Sequence, residues 1–145
     1  MSTRPGTAVY LLDTNVLSEL RKRQKANEGV RKFFDTVIAS GESLYISVVT
    51  IGELRRGIEL IRHRGDTTQA NRLERWLGVI LDQYQDNILD LDVDIAQLWG
   101  KLRAPHPENA LDKQIAATAM IYGLTVVTRN DRDFLKTGAT VLNPF

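Results

Sequence analysis

Four acidic positions in this chain share one kind of address, the seam between a short apolar run and a helical pattern. Asp13 follows the run Tyr10-Leu11-Leu12 and precedes Thr14 and Asn15. Glu53 falls in the first turn of the helix expected after a second run, Leu44 to Ser47. Asp112 falls in the first turn of the helix expected before Thr125-Val126-Val127, and Asp131 and Asp133 follow that last run. Each acid alone has an ordinary explanation. Asp13 could cap a helix, Thr50-Ile51-Gly52-Glu53 matches a capping box, and Asp112 could serve a helix dipole for about 0.3–1 kcal/mol. The set needs more. Ile115, Ala116 and Ala119 lie three, four and seven residues after Asp112, so this acid shares the apolar face of its helix.

A parallel sheet gathers the carboxyl ends of neighbouring strands at one edge. Two carboxylates about 4 Å apart repel by roughly 4 kcal/mol at an effective dielectric near 20. A cluster there therefore takes up protons or a cation. Oxygen-only ligands suit Mg²⁺ or Mn²⁺, and carboxylate-held Mg²⁺ serves phosphoryl chemistry. The two histidines do not compete: His63 sits between Arg62 and Arg64, and His106 between two prolines. No Gly-rich phosphate loop, G-x-S-x-G elbow or H-E-x-x-H is present.

The elements that must position these acids follow from periodicity. Val9–Leu12 is a continuous apolar run, as in a strand buried on both faces. Helices are expected over 15–20, over 27–39 with Val30, Phe33, Phe34, Val37 and Ile38 as the buried stripe, and over 50–64. A further helix over 68–84 carries Leu73, Trp76, Leu77, Ile80, Leu81 and Tyr84, and Gly65-Asp66-Thr67 caps it. Strands are expected at 44–47, 88–91, 125–127 and 140–142. Asp92 or Asp94 caps a helix bearing Ile95, Leu98, Trp99 and Leu102; Ala104–Asn109, with two prolines, is a loop. The last long helix spans 110–122 and ends at Gly123. Both tryptophans fall on apolar stripes and are expected in the core. Strands alternating with helices mean an α/β fold, a central parallel sheet of four to five strands flanked by helices.

The bulk properties narrow the classes. The chain has 145 residues, one domain's worth, with 43% apolar and 26% charged residues. Nineteen basic against eighteen acidic residues give a formal charge of +1, so nucleic-acid binding must rest on local patches. The absence of cysteine excludes disulfides, thiolate metal sites and a cysteine nucleophile. It also fits a cytoplasmic protein. No apolar run approaches a membrane span, and no signal-peptide core is evident. Residues 1–8, with Pro5 and Gly6, are expected to be a disordered lead-in to a single domain over 9–145. The basic run Arg21-Lys22-Arg23-Gln24-Lys25 is expected as a solvated helix end, with a phosphate-contacting patch as the alternative.

With these residues in place the sequence resembles the PIN domains, and more narrowly the VapC toxins of bacterial toxin–antitoxin pairs. The resemblance lies in Leu11-Leu12-Asp13-Thr14-Asn15-Val16-Leu17-Ser18-Glu19, in 47–57, in 110–119 and in Val126-Val127-Thr128-Arg129-Asn130. The ending Val141-Leu142-Asn143-Pro144-Phe145 resembles the FitB branch. It implies a three-layer α/β/α fold and a Mg²⁺-dependent endoribonuclease, with Asp13, Glu53 and Asp112 as its acidic triad and Asp13 and Asp112 as metal ligands. The family's fourth acid often follows the Thr-Arg pair, where this chain has Asn130. An amide can orient a water but supplies no charge. Asp133 matches a carboxylate that some members carry, ranks above Asp131, and leaves a reading of one metal at rest with a second arriving with RNA.

Thr14, Asn15 and Thr128 are expected to shape the pocket. Arg55, Arg56 and Arg129 are candidate contacts to the RNA backbone. The resemblance further implies a homodimer and a small VapB- or FitA-type antitoxin that inserts a segment into the acidic groove. Two rival classes remain. Haloacid-dehalogenase phosphatases also open on an apolar run ending in Asp, but want a second Asp where Asn15 stands. A PIN-like module that binds without cutting is the other, since Asn130 lacks the charge.

Overall fold

A computed structural model describes residues 9–145; the expected lead-in lies outside the described residues. Five parallel strands form one sheet: β1 (Val9–Leu12), β2 (Ser43–Ser47), β3 (Ile88–Leu89), β4 (Thr125–Val127) and β5 (Val141–Leu142). Their spatial order is β3-β2-β1-β4-β5, so the chain winds outward from β1 in both directions. Leu11 pairs with Tyr45 on one side and Val126 on the other. This central position explains why β1 shows no polar alternation.

Side chains alternate across the pleat, and each half of the alternation feeds a different core. Leu12, Ile46 and Val127 pack with Val16, Leu17, Phe34, Leu54, Ile58, Leu73 and Leu77. Those partners come from α1 (Thr14–Leu20), α2 (Glu28–Ser40), α3 (Val48–His63) and α4 (Thr67–Gln83). Leu11 and Val126 pack on the other face with Ile115, Ala116, Ala119 and Phe134. That layer is built by α5 (Val93–Arg103), α6 (Ala110–Tyr122) and α7 (Asp131–Leu135). Small residues along α6 let it lie close to β1 and β4, which is why it is the most buried helix. At its end Gly123 adopts φ 69, the left-handed turn that sends the chain into β4.

Several boundaries differ from expectation, each for a local reason. Helix α3 starts at Val48 because Ser47 caps it, accepting from the Val49 N–H at 3.1 Å. Thr50 and Glu53 therefore do not form a capping box, and Glu53 lies in the second turn. The α2 stripe stops at Val37; Ile38 is 74% exposed because it rotates past the narrow apolar face. Leu81 is likewise at the surface, and β3 ends at Leu89, leaving Leu91 exposed. The basic run breaks into a turn and a 3₁₀ turn at Arg23–Lys25, outside α1. Asp66 and Asp92 are the caps of α4 and α5. Trp76 packs, partly buried, against the first core. Trp99 is also partly buried, and its Nε1 donates to the Ala110 carbonyl at 2.8 Å, tying α5 to the start of α6.

Candidate active site

Asp13 stands where β1 meets α1, in the centre of the sheet edge. Its own N–H donates to the Val127 carbonyl at 3.0 Å, extending the β1–β4 pairing by one step. Its carboxylate is 4% exposed and accepts three hydrogen bonds. The Thr14 N–H reaches Oδ1 at 2.8 Å, while the Thr128 hydroxyl at 2.8 Å and the Asn15 amide at 3.3 Å reach Oδ2. A carboxylate offers about four acceptor positions, so one remains, on Oδ1. Burial pushes the Asp13 carboxyl above the usual range; the bonds from Thr128 and Thr14 oppose that, and the Glu53 charge adds to it.

Thr128 and Asn15 stitch this corner together. The Thr128 hydroxyl, fully buried, gives its proton to Asp13 and accepts from the Asn130 N–H at 2.9 Å and the Asn15 amide at 3.4 Å. Asn15 in turn accepts from the Arg129 N–H at 3.1 Å. The ends of β1 and β4 are thus locked by side chains as well as by the ladder.

Asp112, in the first turn of α6, is partly buried. Its carboxyl is pushed up to about 6, first by burial and then by the charges of Asp13, Asp133 and Glu53, with Lys113 opposing. Four carboxylates from four elements therefore feel one another at this edge. Glu53 arrives from α3 and also borders a groove of about 230 Å³ lined by Thr14, Ser18 and Arg21 and by the apolar Ile58, Ile61 and Trp76. Asp133 arrives from α7. Asp131 turns the other way, accepting from the Asn143 amide at 3.3 Å. Asn130 is exposed at the start of α7, and its side chain caps nothing.

The arginines separate. Arg55 lies between Glu59 and Glu74, at 3.2 and 2.9 Å, so its charge is already engaged. Arg56 is exposed and has no ion pair among the described residues. Arg129 is exposed beside the site; its guanidinium lies 4.1 Å from the Phe145 ring centre and 3.9 Å from Glu19. That support was missed from sequence. Glu19 is only 8% exposed and accepts from the Asn27 N–H at 2.8 Å and Lys22 at 3.0 Å. The tail that brings Phe145 here passes Gly29, where any Cβ would strike the Pro144 carbonyl. A lone Glu in a helix beside a basic run carries no signal of this role.

A family model for the PIN domain matches residues 10–139. The chain belongs to the PIN-domain family. It is 36% identical over 143 residues to toxin FitB of Neisseria gonorrhoeae, covering 94% of this chain and 99% of FitB. It is 33% identical over 143 residues to the VapC ribonuclease Y4jK of Sinorhizobium fredii, covering 94% of this chain and 98% of that protein. The crystal structure of FitAcB from Neisseria gonorrhoeae superposes with a TM-score of 0.73 at 34% identity, covering 93% of this chain and 97% of the matched one.

In this PIN domain no three Asp, Glu or His side chains among the described residues stand close enough to close around one ion. Mg²⁺ does not require such a cage, since it keeps several waters and takes one or two carboxylates plus substrate phosphate oxygens. The donor set fits: oxygens only, one acceptor position left on Asp13, and a partly exposed Asp112 raised by burial and then by its neighbours' charge. Asn15, Thr128 and Thr14 act on Asp13, not on the open edge. Among the described residues no helix is long and apolar enough to cross a membrane.

Proposed function

We propose that this chain is a divalent-cation-dependent endoribonuclease and the toxin of a type II toxin–antitoxin pair. The observation that carries this reading is the meeting of Asp13, Glu53, Asp112 and Asp133 at one sheet edge, each from a different element and, among the described residues, none neutralised by a basic partner within salt-bridge distance. Like charges so placed cost stability and are kept where they serve chemistry. Asp13 and Asp112 would hold Mg²⁺, or Mn²⁺ in its place. Bound there, the ion supplies charge neutralisation at the phosphodiester, a lowered pKa for water, and stabilisation of the leaving oxygen.

The chain's own groups do the rest. Thr128, Asn15 and the Thr14 N–H fix the Asp13 carboxylate in one orientation, so no reorganisation is needed when substrate arrives. Glu53, on the opposite helix, orients the attacking water and accepts its proton as the oxygen bonds to phosphorus and the in-line P–O ester bond breaks. Asp133 adds the fourth charge, and the Asn130 amide orients a second water. Arg129, stacked on Phe145, and Arg56 present cations to the flanking RNA phosphates.

FitB and the VapC ribonuclease support the toxin and nuclease parts of this reading. A FitA- or VapB-type partner would seat a segment in the groove between α1, α3 and α4, whose apolar lining adjoins Glu53, and the toxin would act as a homodimer. Purified Asp13→Asn should stay folded and lose RNA cleavage by at least ~10³-fold, and EDTA should silence the wild type. A folded Asp13→Asn protein that cuts at the wild-type rate would refute the assignment. The uncharged Asn130 favours a second reading, a module that binds RNA or antitoxin without cutting; cation-dependent cleavage by the wild type decides between them.

A further inference from the structure

A cavity of about 590 Å³ lies beside the acidic edge, enclosed by the end of α5, the 104–109 loop, the start of α6 and α7. Its volume is that of a small-molecule site. Lys101, Lys113 and Lys136 line it, Leu102 and Pro105 give it an apolar wall, and Asp133 is shared with the catalytic cluster. The cavity therefore adjoins the site, and its three lysines outnumber its two carboxylates, Glu108 and Asp133.

The three lysines stand in two settings, one buried and two exposed. Lys113 follows Asp112 in α6 and is 8% exposed, its stem buried. Its Nζ donates to the Glu108 carbonyl, which leaves two of three donors unused. Lys101 and Lys136 are exposed, and neither has a carboxylate within salt-bridge distance among the described residues. Glu108, the remaining acid of the wall, stands 3.7 Å from His106. Three ammonium groups around a half-apolar cavity suit a ligand with one phosphate and one flat apolar face.

We propose that this cavity is a nucleotide subsite of the RNA strand, holding the phosphate and base next to the scissile bond. The lysines take the phosphate, and the Leu102–Pro105 wall takes the base. The strand then runs from cavity to acidic edge past Asp133, which places the scissile phosphate beside the carboxylate cluster. The proposal rests on the endoribonuclease reading for its substrate.

The test is equilibrium binding of a short single-stranded RNA to cleavage-dead Asp13→Asn protein, with and without K101A/K136A, over a range of salt. Both lysines are exposed, so the fold is retained, and circular dichroism verifies this. The double variant should weaken binding about tenfold and lower the slope of log K against log salt by ~1.4, two contacts at ~0.7 each. A matched pair on the outer face of α4, R72A/R75A, should leave the slope unchanged. Equal loss in both double variants would reduce the effect to net charge and overturn the subsite, as would an unchanged slope in K101A/K136A. If the wild type binds through these lysines but never cuts RNA with Mg²⁺ or Mn²⁺, the nuclease reading fails and the subsite stands. If it cuts and the slope is unmoved, the subsite alone fails.

Discussion

Two charged clusters in this molecule are built from similar side chains to opposite ends. Across α3 and α4, Arg55 and Arg62 alternate with Glu59 and Glu74, each arginine facing both carboxylates. Hydrogen bonds to the arginines hold Glu59 and Glu74 below the usual carboxylate range, and the arginines are raised in return. At the sheet edge, four carboxylates act on one another with no such ion-pair partner among the described residues, and burial together with those charges raises Asp112 to about 6. The first cluster is exposed and self-satisfied; it registers two helices and contributes little to stability. The second is partly buried and unsatisfied, so the fold holds it at a cost that a cation would relieve. Charge alone does not mark a site. Unbalanced charge in a position that the core enforces does.

The largest effect expected from this contrast is on Asp112→Asn. Cleavage should fall by at least ~10³-fold, while the cation-free protein gains about 1–2 kcal/mol of stability at pH 7.5, less than the full shift because solvent screens a partly exposed carboxylate. The sign follows from the raised carboxyl. Between pH 3.8 and about 6 the folded chain holds a proton that the unfolded chain has lost, so wild-type stability declines as pH rises through that window. Denaturant melts should therefore show the variant's advantage at pH 7.5 and none near pH 3.5. A variant less stable than wild type at pH 7.5 would remove the idea of a strained cluster.

Cation binding should follow the same group. Below pH 6, affinity for Mg²⁺ or Mn²⁺, measured by calorimetry, should drop about tenfold per pH unit as Asp112 takes up its proton. Affinity that stays flat from pH 7 to 5 would mean that Asp112 is not a ligand. A smaller effect is expected at Thr128→Val, which deletes the buried donor to Asp13 without changing volume. It should destabilise by about 1–3 kcal/mol and depress cleavage, and it should add nothing to the loss of activity in an Asp13→Asn background. The smallest is Glu74→Gln in the arginine–glutamate lattice: a melting midpoint lowered by no more than ~2 °C and cleavage within about twofold of wild type. A large loss of cleavage there would make the lattice part of the site.

Local pattern made much of this legible. The continuous run at Val9–Leu12 marked the central strand, Gly123 marked the end of α6, and the Asp112–Ile115–Ala116–Ala119 spacing pointed an acid inward. The PIN resemblance rested on the same stretches. What was not legible depends on partners distant in sequence. Ile38 continued the α2 stripe in the sequence, yet it lies at the surface, past the face that α2 turns to the core. Arg55 and Arg129 were equal candidates for RNA contact, but Glu59 and Glu74 engage Arg55, whereas Glu19 and Phe145 frame Arg129. Asp131 and Asp133 differ by two residues in sequence, and on the short helix α7 that is enough to send one toward Asn143 and the other toward Asp112.

By itself, then, the sequence determined the order of the strands and of helices α1 to α6 and the placing of acids at strand ends, because periodicity and turn chemistry act within a few residues. It did not determine the short helix α7, whose five residues are too few to show a period. Only the tertiary structure decided which charges are neutralised and which are left in opposition. It locked Asp13 through Thr128, 115 positions away, and set a lysine-lined cavity against the acidic edge. Electrostatic coupling depends on distance and burial in three dimensions, and neither is written in the local pattern of residues.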